Sequence, residues 1–154
     1  MKENVEKSPL PNGLAARMSD TMLVSARLLS RFITAIYDDR LRRFKISAAQ
    51  FILVALINEG PVTRADIARQ QHLERSTLTR NLKVILSEGL VVEVWENADG
   101  RSRPIALTKA GQDLLSAAEP ECLAAEAEAA ALLGENQMMN VISVGKRLAM
   151  KNPS

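Results

Sequence analysis

The sequence is short of several things, and each shortage excludes something. It has one cysteine, Cys122, so no disulfide can close within the chain. It has one histidine, His72, with no cysteine or second histidine beside it, so a turn or surface role is expected there and a metal site is not. Aromatic residues are confined to Phe32, Tyr37, Phe44, Phe51 and Trp95, so any core must be built from Leu, Ile, Val, Met and Ala. No apolar run reaches the roughly 18 residues that a membrane-spanning helix needs. Lys2 and Lys7 stand next to no apolar stretch of the kind a secretory signal requires. No Ser-His-Asp set, phosphate-binding loop, dinucleotide fingerprint or metal-ligand spacing is present, so an enzyme is not expected and no cofactor is called for. The expected location is the cytoplasm, with no membrane partner.

What is present suffices for a core. The chain has 154 residues, 47% of them apolar and 25% charged, which fits one domain or one domain with a helical extension. Lys and Arg number 20 against 18 Asp and Glu, a net charge of +2. That total does not point to nucleic acid, but the distribution does. Arg75, Arg80 and Lys83 form one basic cluster, and Arg101 and Arg103 another.

Pro9, Pro11, Asn12 and Gly13 mark residues 1–13 as a flexible arm. Leu14 then opens a long helical pattern. Met18, Met22, Ser25, Leu29, Phe32, Ile33, Ile36, Tyr37 and Leu41 recur at steps of three and four. Ser47 is a good N-cap for a second helix, filled by Phe51, Ile52, Val54, Ala55 and Leu56 and ended by Gly60-Pro61. Thr63 caps a short third helix, Arg64 to about Gln71, buried through Ala65, Ile67 and Ala68. A fourth runs from about Arg75 to Glu88 and stops at Gly89. The period then falls to two. Leu90 to Glu96 reads as a strand, Asn97-Ala98-Asp99-Gly100 as a turn, and Arg103 to Leu107 as a return strand with Pro104 at an edge. Thr108 caps a helix that passes Pro120 and reaches Leu133. Gly134 breaks it, and a last helix carries Met138, Val141, Ile142 and Leu148 on one side to about Met150. The fold class is mainly α with a small β-hairpin wing, the winged helix-turn-helix pattern over residues 46–108, flanked by long terminal helices.

At 100° per residue, Leu78, Leu82, Ile85 and Leu86 of the fourth helix point one way. Ser76, Arg80 and Lys83 point the other, with Thr77 and Thr79 at the flanks. Such a helix can bury one side and offer the other to a major groove. Arg80 can donate two hydrogen bonds to guanine O6 and N7. Ser76 and Thr77, in the first turn beside Arg75, can bond phosphate together with the free backbone N–H groups. A solvated surface face accounts for these residues as well, and on this helix alone it is slightly the better account. The hairpin shifts the balance. Its tip, Asp99-Gly100-Arg101-Ser102-Arg103, projects basic side chains from a narrow ribbon, and a narrow A·T minor groove attracts arginine. Asp99 can pair with Arg101 or Arg103 and steady the tip.

Several stretches resemble MarR-family regulators. Gly60-Pro61-Val62-Thr63-Arg64-Ala65-Asp66-Ile67-Ala68 looks like the second helix of the family's helix-turn-helix, and Glu74-Arg75-Ser76-Thr77-Leu78-Thr79-Arg80 like the start of its recognition helix. Glu88-Gly89-Leu90-Val91 resembles the exit into the wing. Asp99-Gly100-Arg101 with Ile105-Ala106-Leu107-Thr108-Lys109-Ala110-Gly111 is similar to the wing and the helix that follows. The match runs from about Ile46 to Leu115. The resemblance implies a homodimer held by dimerisation helices at 14–45 and 109–150, bound to a pseudo-palindromic operator in double-stranded DNA. It implies that Arg80 reads bases and that Arg101 enters the minor groove. It implies a small organic effector, aromatic, phenolic or anionic, in a cleft for which Arg27, Arg31 and Tyr37 are candidate lining residues. Some relatives sense oxidants through a cysteine in the N-terminal helical region; none stands there in this chain.

Other residues have plainer expectations. Cys122 reads as a buried small hydrophobe, Trp95 as packing for the wing, and Glu126, Glu128 and Glu135 as a solvated face. Three functions compete: a ligand-responsive repressor, a winged-helix protein-binding module, and an enzyme. The second gives no role to Arg80 and Arg101 together, and the third has no motif.

Overall fold

The computed structural model describes residues 13–95 and 103–151. The predicted N-terminal arm, Gly13 apart, and the wing tip with Asp99 and Arg101 lie outside the described residues. The chain divides into two compact units, Met1–Ala35 and Ile36–Ser154.

In the first unit the helix expected from Leu14 is interrupted. α1 (Leu14–Ser19) ends and α2 (Met22–Leu41) begins across Asp20 and Thr21. Thr21 supplies the reason. Its hydroxyl donates to the Met18 carbonyl at 2.7 Å and accepts the Val24 N–H at 3.4 Å. A threonine that bonds local backbone in this way ends one helix and caps the next. Met22 is 83% exposed and Phe32 60%, while Leu29 and Ile33 of the same stripe are partly buried.

The second unit holds the last turns of α2 and everything after it. A 3-10 turn (Arg42–Phe44) and Lys45, with φ of 57°, reverse the chain. Ser47 then caps α3 (Ala48–Ile57) with a full capping box: its hydroxyl accepts the Gln50 N–H, and the Gln50 side chain accepts the Ser47 N–H. The Asp38 carboxylate takes the next free donor, Ala48 N–H, at 2.7 Å. Thr63 caps α4 (Arg64–Gln71) by accepting the Asp66 N–H. His72 ends α4 in the left-handed region, with φ of 50°, and the chain turns into α5 (Arg75–Ser87).

The hairpin follows. β1 (Val91–Glu93) pairs antiparallel with β2 (Ile105–Leu107), with Val91 opposite Leu107 and Glu93 opposite Ile105. Both strands are shorter than the sequence predicts, because Pro104 has no N–H to extend the ladder. Its carbonyl accepts Val94 N–H at 2.8 Å, and among the described residues the regular pairing goes no further. Val62 adds a bridge the sequence does not advertise, exchanging two backbone bonds with Ile105 (3.0 and 2.8 Å). Three helices and a ribbon tied in this way form a winged helix-turn-helix.

Leu41, Leu53, Val54, Ile57, Ile67, Leu82, Ile85, Val91 and Ile105 make its core. Two expectations for α3 and α4 are corrected: Ile52 is half exposed and Ala65 exposed, while Leu53 and Ile57 take the buried side. The helix period is 3.6, so a crowded apolar run has one residue too many for its buried face.

α6 (Lys109–Leu133) and α7 (Glu135–Ala149) complete the chain, and α6 stays continuous through Pro120. Thr108 caps α6 by accepting the Gly111 N–H, and its hydroxyl lies within bonding distance of the Gly89 and Leu90 carbonyls (2.6 and 2.9 Å). Gly111 is required where it stands: a Cβ there would lie 2.3 Å from the Leu90 carbonyl oxygen and 2.5 Å from Leu107 Cδ1. Ala118 is fully buried in the winged-helix core of the single chain. Among the described residues, no helix is long and apolar enough to cross a membrane.

Candidate nucleic-acid interface

α5 is divided lengthwise. Leu78, Leu82 and Ile85 are buried, whereas Arg75, Ser76, Thr79, Arg80 and Lys83 are exposed and Thr77 is half-buried. The polarity expected for this helix is present, with Leu86 only partly buried at the edge of the apolar side. Arg75, Arg80 and Lys83 form no ion pair among the described residues, so their charges face solvent. Glu74 caps α5 without a side-chain hydrogen bond, which leaves the first-turn N–H groups open.

A groove of about 340 Å³ lies beside α5, lined by Thr63, Arg64, Ala65, Arg75, Thr79 and Arg103. Arg64, Thr79 and Lys83 also line a second, shallower hollow. Of the predicted site residues, Arg75, Thr79 and Arg103 thus come together directly. Ser76, Arg80 and Lys83 share the exposed side of the same helix.

The wing is fastened at one carboxylate. Glu93 accepts from the Arg64 guanidinium at the start of α4 and pairs with Arg103 Nη1 at 3.4 Å. The Arg64 hydrogen bond, followed by weaker help from Arg103, holds the Glu93 carboxyl below the usual carboxylate range against the opposing effect of burial. Arg103 also stacks over the Trp95 ring, 3.7 Å from its centroid. Trp95 itself is 74% exposed, so it packs the wing through the Arg103 stack and not by burial. Arg64 and Glu93 were not among the predicted site residues. Their one sequence signal is that an arginine opens a helix next to a groove-facing one.

The candidate ligand residues are placed differently. Arg27 and Arg31 are exposed on the first unit's part of α2. Tyr37, in the second unit, donates its hydroxyl to the Glu126 carboxylate, and Arg40 donates to Glu128 at 2.8 Å. Glu121 receives Arg43 at 3.0 Å. Glu126 and Glu128 are exposed, as a solvated face requires, and are also bonded partners of α2. Cys122 is half-buried against the core, and burial, with Glu119, Glu121 and Glu126 nearby, pushes its thiol up. Among the described residues no group of three His, Cys, Asp or Glu could hold a metal.

The family model described as "MarR family" matches residues 44–102. Among solved structures, a transcriptional regulator of M. tuberculosis in complex with DNA is 30% identical, with 84% of this chain and 96% of that one covered at a TM-score of 0.70. A mutant MarR of E. coli complexed with operator DNA shares 16% identity over 90% and 99% of the two chains, at 0.75. A probable transcriptional regulator of Pseudomonas aeruginosa shares 19% identity over 86% and 99%, at 0.76. A comparison with curated protein sequences finds no match. With this fold, these motifs and these relatives, the chain belongs to the MarR family of winged helix-turn-helix transcriptional regulators, and not to the enzymes.

Proposed function

We propose that the protein is a repressor that binds a pseudo-palindromic operator as a homodimer and is released by a small organic ligand. The carrying observation is the lengthwise division of α5: an apolar half in the core, and an exposed half with three unpaired cations among the described residues. In this reading Arg80 reads guanine in the major groove, Ser76, Thr77 and Thr79 meet phosphate or base edges, and Arg75 and Lys83 neutralise phosphates. Arg101, with Asp99 steadying it, enters the minor groove. The DNA-bound structure of the 30% identical mycobacterial regulator supports duplex DNA as the partner. A DNA partner puts the protein in the cytoplasm.

Exposed apolar residues on the terminal helices support the dimer. Met22, Leu23 and Phe32 lie on α2, Leu123 and Leu132 on α6, and Met139 and Leu148 on α7; a second copy would cover them. For the ligand, Arg27 and Arg31 stand one helical turn apart on α2 as exposed cations suited to an anionic or phenolic molecule. Tyr37 has its hydroxyl engaged by Glu126, so it offers a ring edge and not a free donor.

The test is a gel shift against DNA upstream of the protein's own gene, at stated salt, beside a random duplex of equal length. Retardation of the upstream fragment alone, relieved by phenolic acids and untouched by EDTA, is expected. No retardation of any duplex at micromolar protein would exclude the DNA reading and leave the protein-binding module.

A further inference from the structure

A carboxylate is an unwelcome neighbour for DNA. Glu93 nonetheless stands on the strand that leads to the wing, paired with two arginines, Arg64 and Arg103, that both line the groove beside α5. Near phosphates its charge works against binding. Its two partners suggest what offsets that. Arg64 belongs to α4, Glu93 to β1, and Arg103 to the start of the return strand, where it also covers the Trp95 ring. Together they join the helix-turn-helix to both sides of the ribbon at Glu93 and Ile105, the last regular pair among the described residues.

We infer that Glu93 is a positioning residue for DNA reading: it sets the angle of the wing against α4 and α5 through Arg64 and Arg103, and Arg103 serves the wing's placement instead of contacting DNA. This rests on the reading of α5 and the wing as the DNA-contacting parts. It changes the assignment of Arg103, whose guanidinium is engaged on one edge by Glu93 and on its face by Trp95. Electrostatics alone and positioning predict opposite signs when Glu93 loses its charge. Electrostatics alone says that every duplex binds more tightly. Positioning says that the operator binds more weakly while random DNA binds as well as before or better.

Trp95 is the one tryptophan of the sequence, so intrinsic fluorescence reports this cluster without a label. The experiment compares the parent protein with Glu93→Gln, Glu93→Asp and Arg103→Met, each checked for an unchanged helical spectrum and melting temperature. In the free protein, Glu93→Gln and Arg103→Met are expected to shift Trp95 emission and acrylamide quenching in the same direction, with Glu93→Asp between them and the parent. With DNA, Glu93→Gln is expected to lose about 5-fold in affinity for the tightest upstream duplex, the scale of an exposed ion pair, with no loss on random duplex. Glu93→Asp should recover part of it. Unchanged Trp95 emission in Glu93→Gln overturns the inference, and so does tighter binding of both duplexes. If the parent itself binds no duplex, the DNA reading fails, and the fluorescence of the free protein still decides whether Glu93 holds the wing. A Glu93→Gln protein that melts early is replaced by Arg64→Gln, which must produce the same Trp95 shift.

Discussion

The Tyr37 hydroxyl donates to the Glu126 carboxylate, joining α2 to α6 across 89 residues of sequence. Burial first, and then the Glu126 hydrogen bond and charge, push the phenol well above its ordinary value. A raised native pKa contributes stability that is fully present below the unfolded value of about 10 and is lost as pH rises through the native one. Tyr37 is the one tyrosine, so its phenolate absorbance can be followed directly. It should stay silent through pH 10 and emerge only with alkaline unfolding. Glu126→Gln should bring the titration down partway, since burial remains. A Tyr37 that titrates at the ordinary value in the folded protein would contradict the pairing.

The exposed face of α5 makes a graded prediction. Arg80→Ala should relax discrimination at one base pair per half-site, by roughly 1–3 kcal/mol for a lost bidentate contact. Lys83→Ala should weaken all duplexes alike and reduce the salt slope by about 1. Arg101→Ala should matter most in A·T-rich flanks. Equal discrimination by parent and Arg80→Ala in a binding-site selection would place base reading elsewhere on the helix.

Light scattering at micromolar concentration should give a dimer. Leu123 is 65% exposed in the single chain, so Leu123→Glu should leave the monomer fold intact and raise the dissociation constant of the dimer. Ala118, by contrast, is a core position, and a charged residue there should unfold the domain. A monomeric parent would remove the half-site geometry, which needs two reading helices about 34–36 Å apart.

Cys122 should react slowly with thiol reagents at neutral pH. Burial and the nearby carboxylates keep it protonated, and the thiolate is the reactive form. Peroxide should therefore leave DNA binding unchanged over the time in which a phenolic ligand releases it. Release by peroxide, reversed by dithiothreitol and abolished in Cys122→Ser, would replace the ligand with a thiol switch.

Much of this arrangement was legible in the sequence, for identifiable reasons. Ser47, Thr63, Thr108 and Gly134 mark their boundaries because each carries out a local task that neighbouring residues suffice to predict. The polarity of α5 follows from its period. Thr21 escaped notice because it sits in an apolar pattern that is continuous on both sides, and only the hydroxyl's choice of Met18 reveals the break. The ties from Glu93 to Arg64, from Tyr37 to Glu126 and from Val62 to Ile105 span 29, 89 and 43 residues. No period or spacing carries such pairs, since they depend on how whole elements are laid together. Ala118 shows the same limit: alanine in an Ala-rich helix says that something comes close, not which chain it belongs to.

The contact at Gly111 has a mechanical consequence. At Gly111 the helix backbone meets the Leu90 carbonyl with the Leu107 side chain packed beside it, and Thr108 latches the same spot. An exposed side chain absorbs small displacements by changing rotamer; a backbone carbonyl and a packed leucine against a glycine leave little room to do so. The first turn of α6 and the foot of the wing are therefore one stiff part, and a roll of the helix must arrive at the ribbon as a tilt. Gly111→Ala would pry that part open, lowering stability by about 1–3 kcal/mol, while Gln112→Ala, one exposed position along, should change it by under about 0.5 kcal/mol. Equal melting temperatures for the two variants would show that the joint has slack.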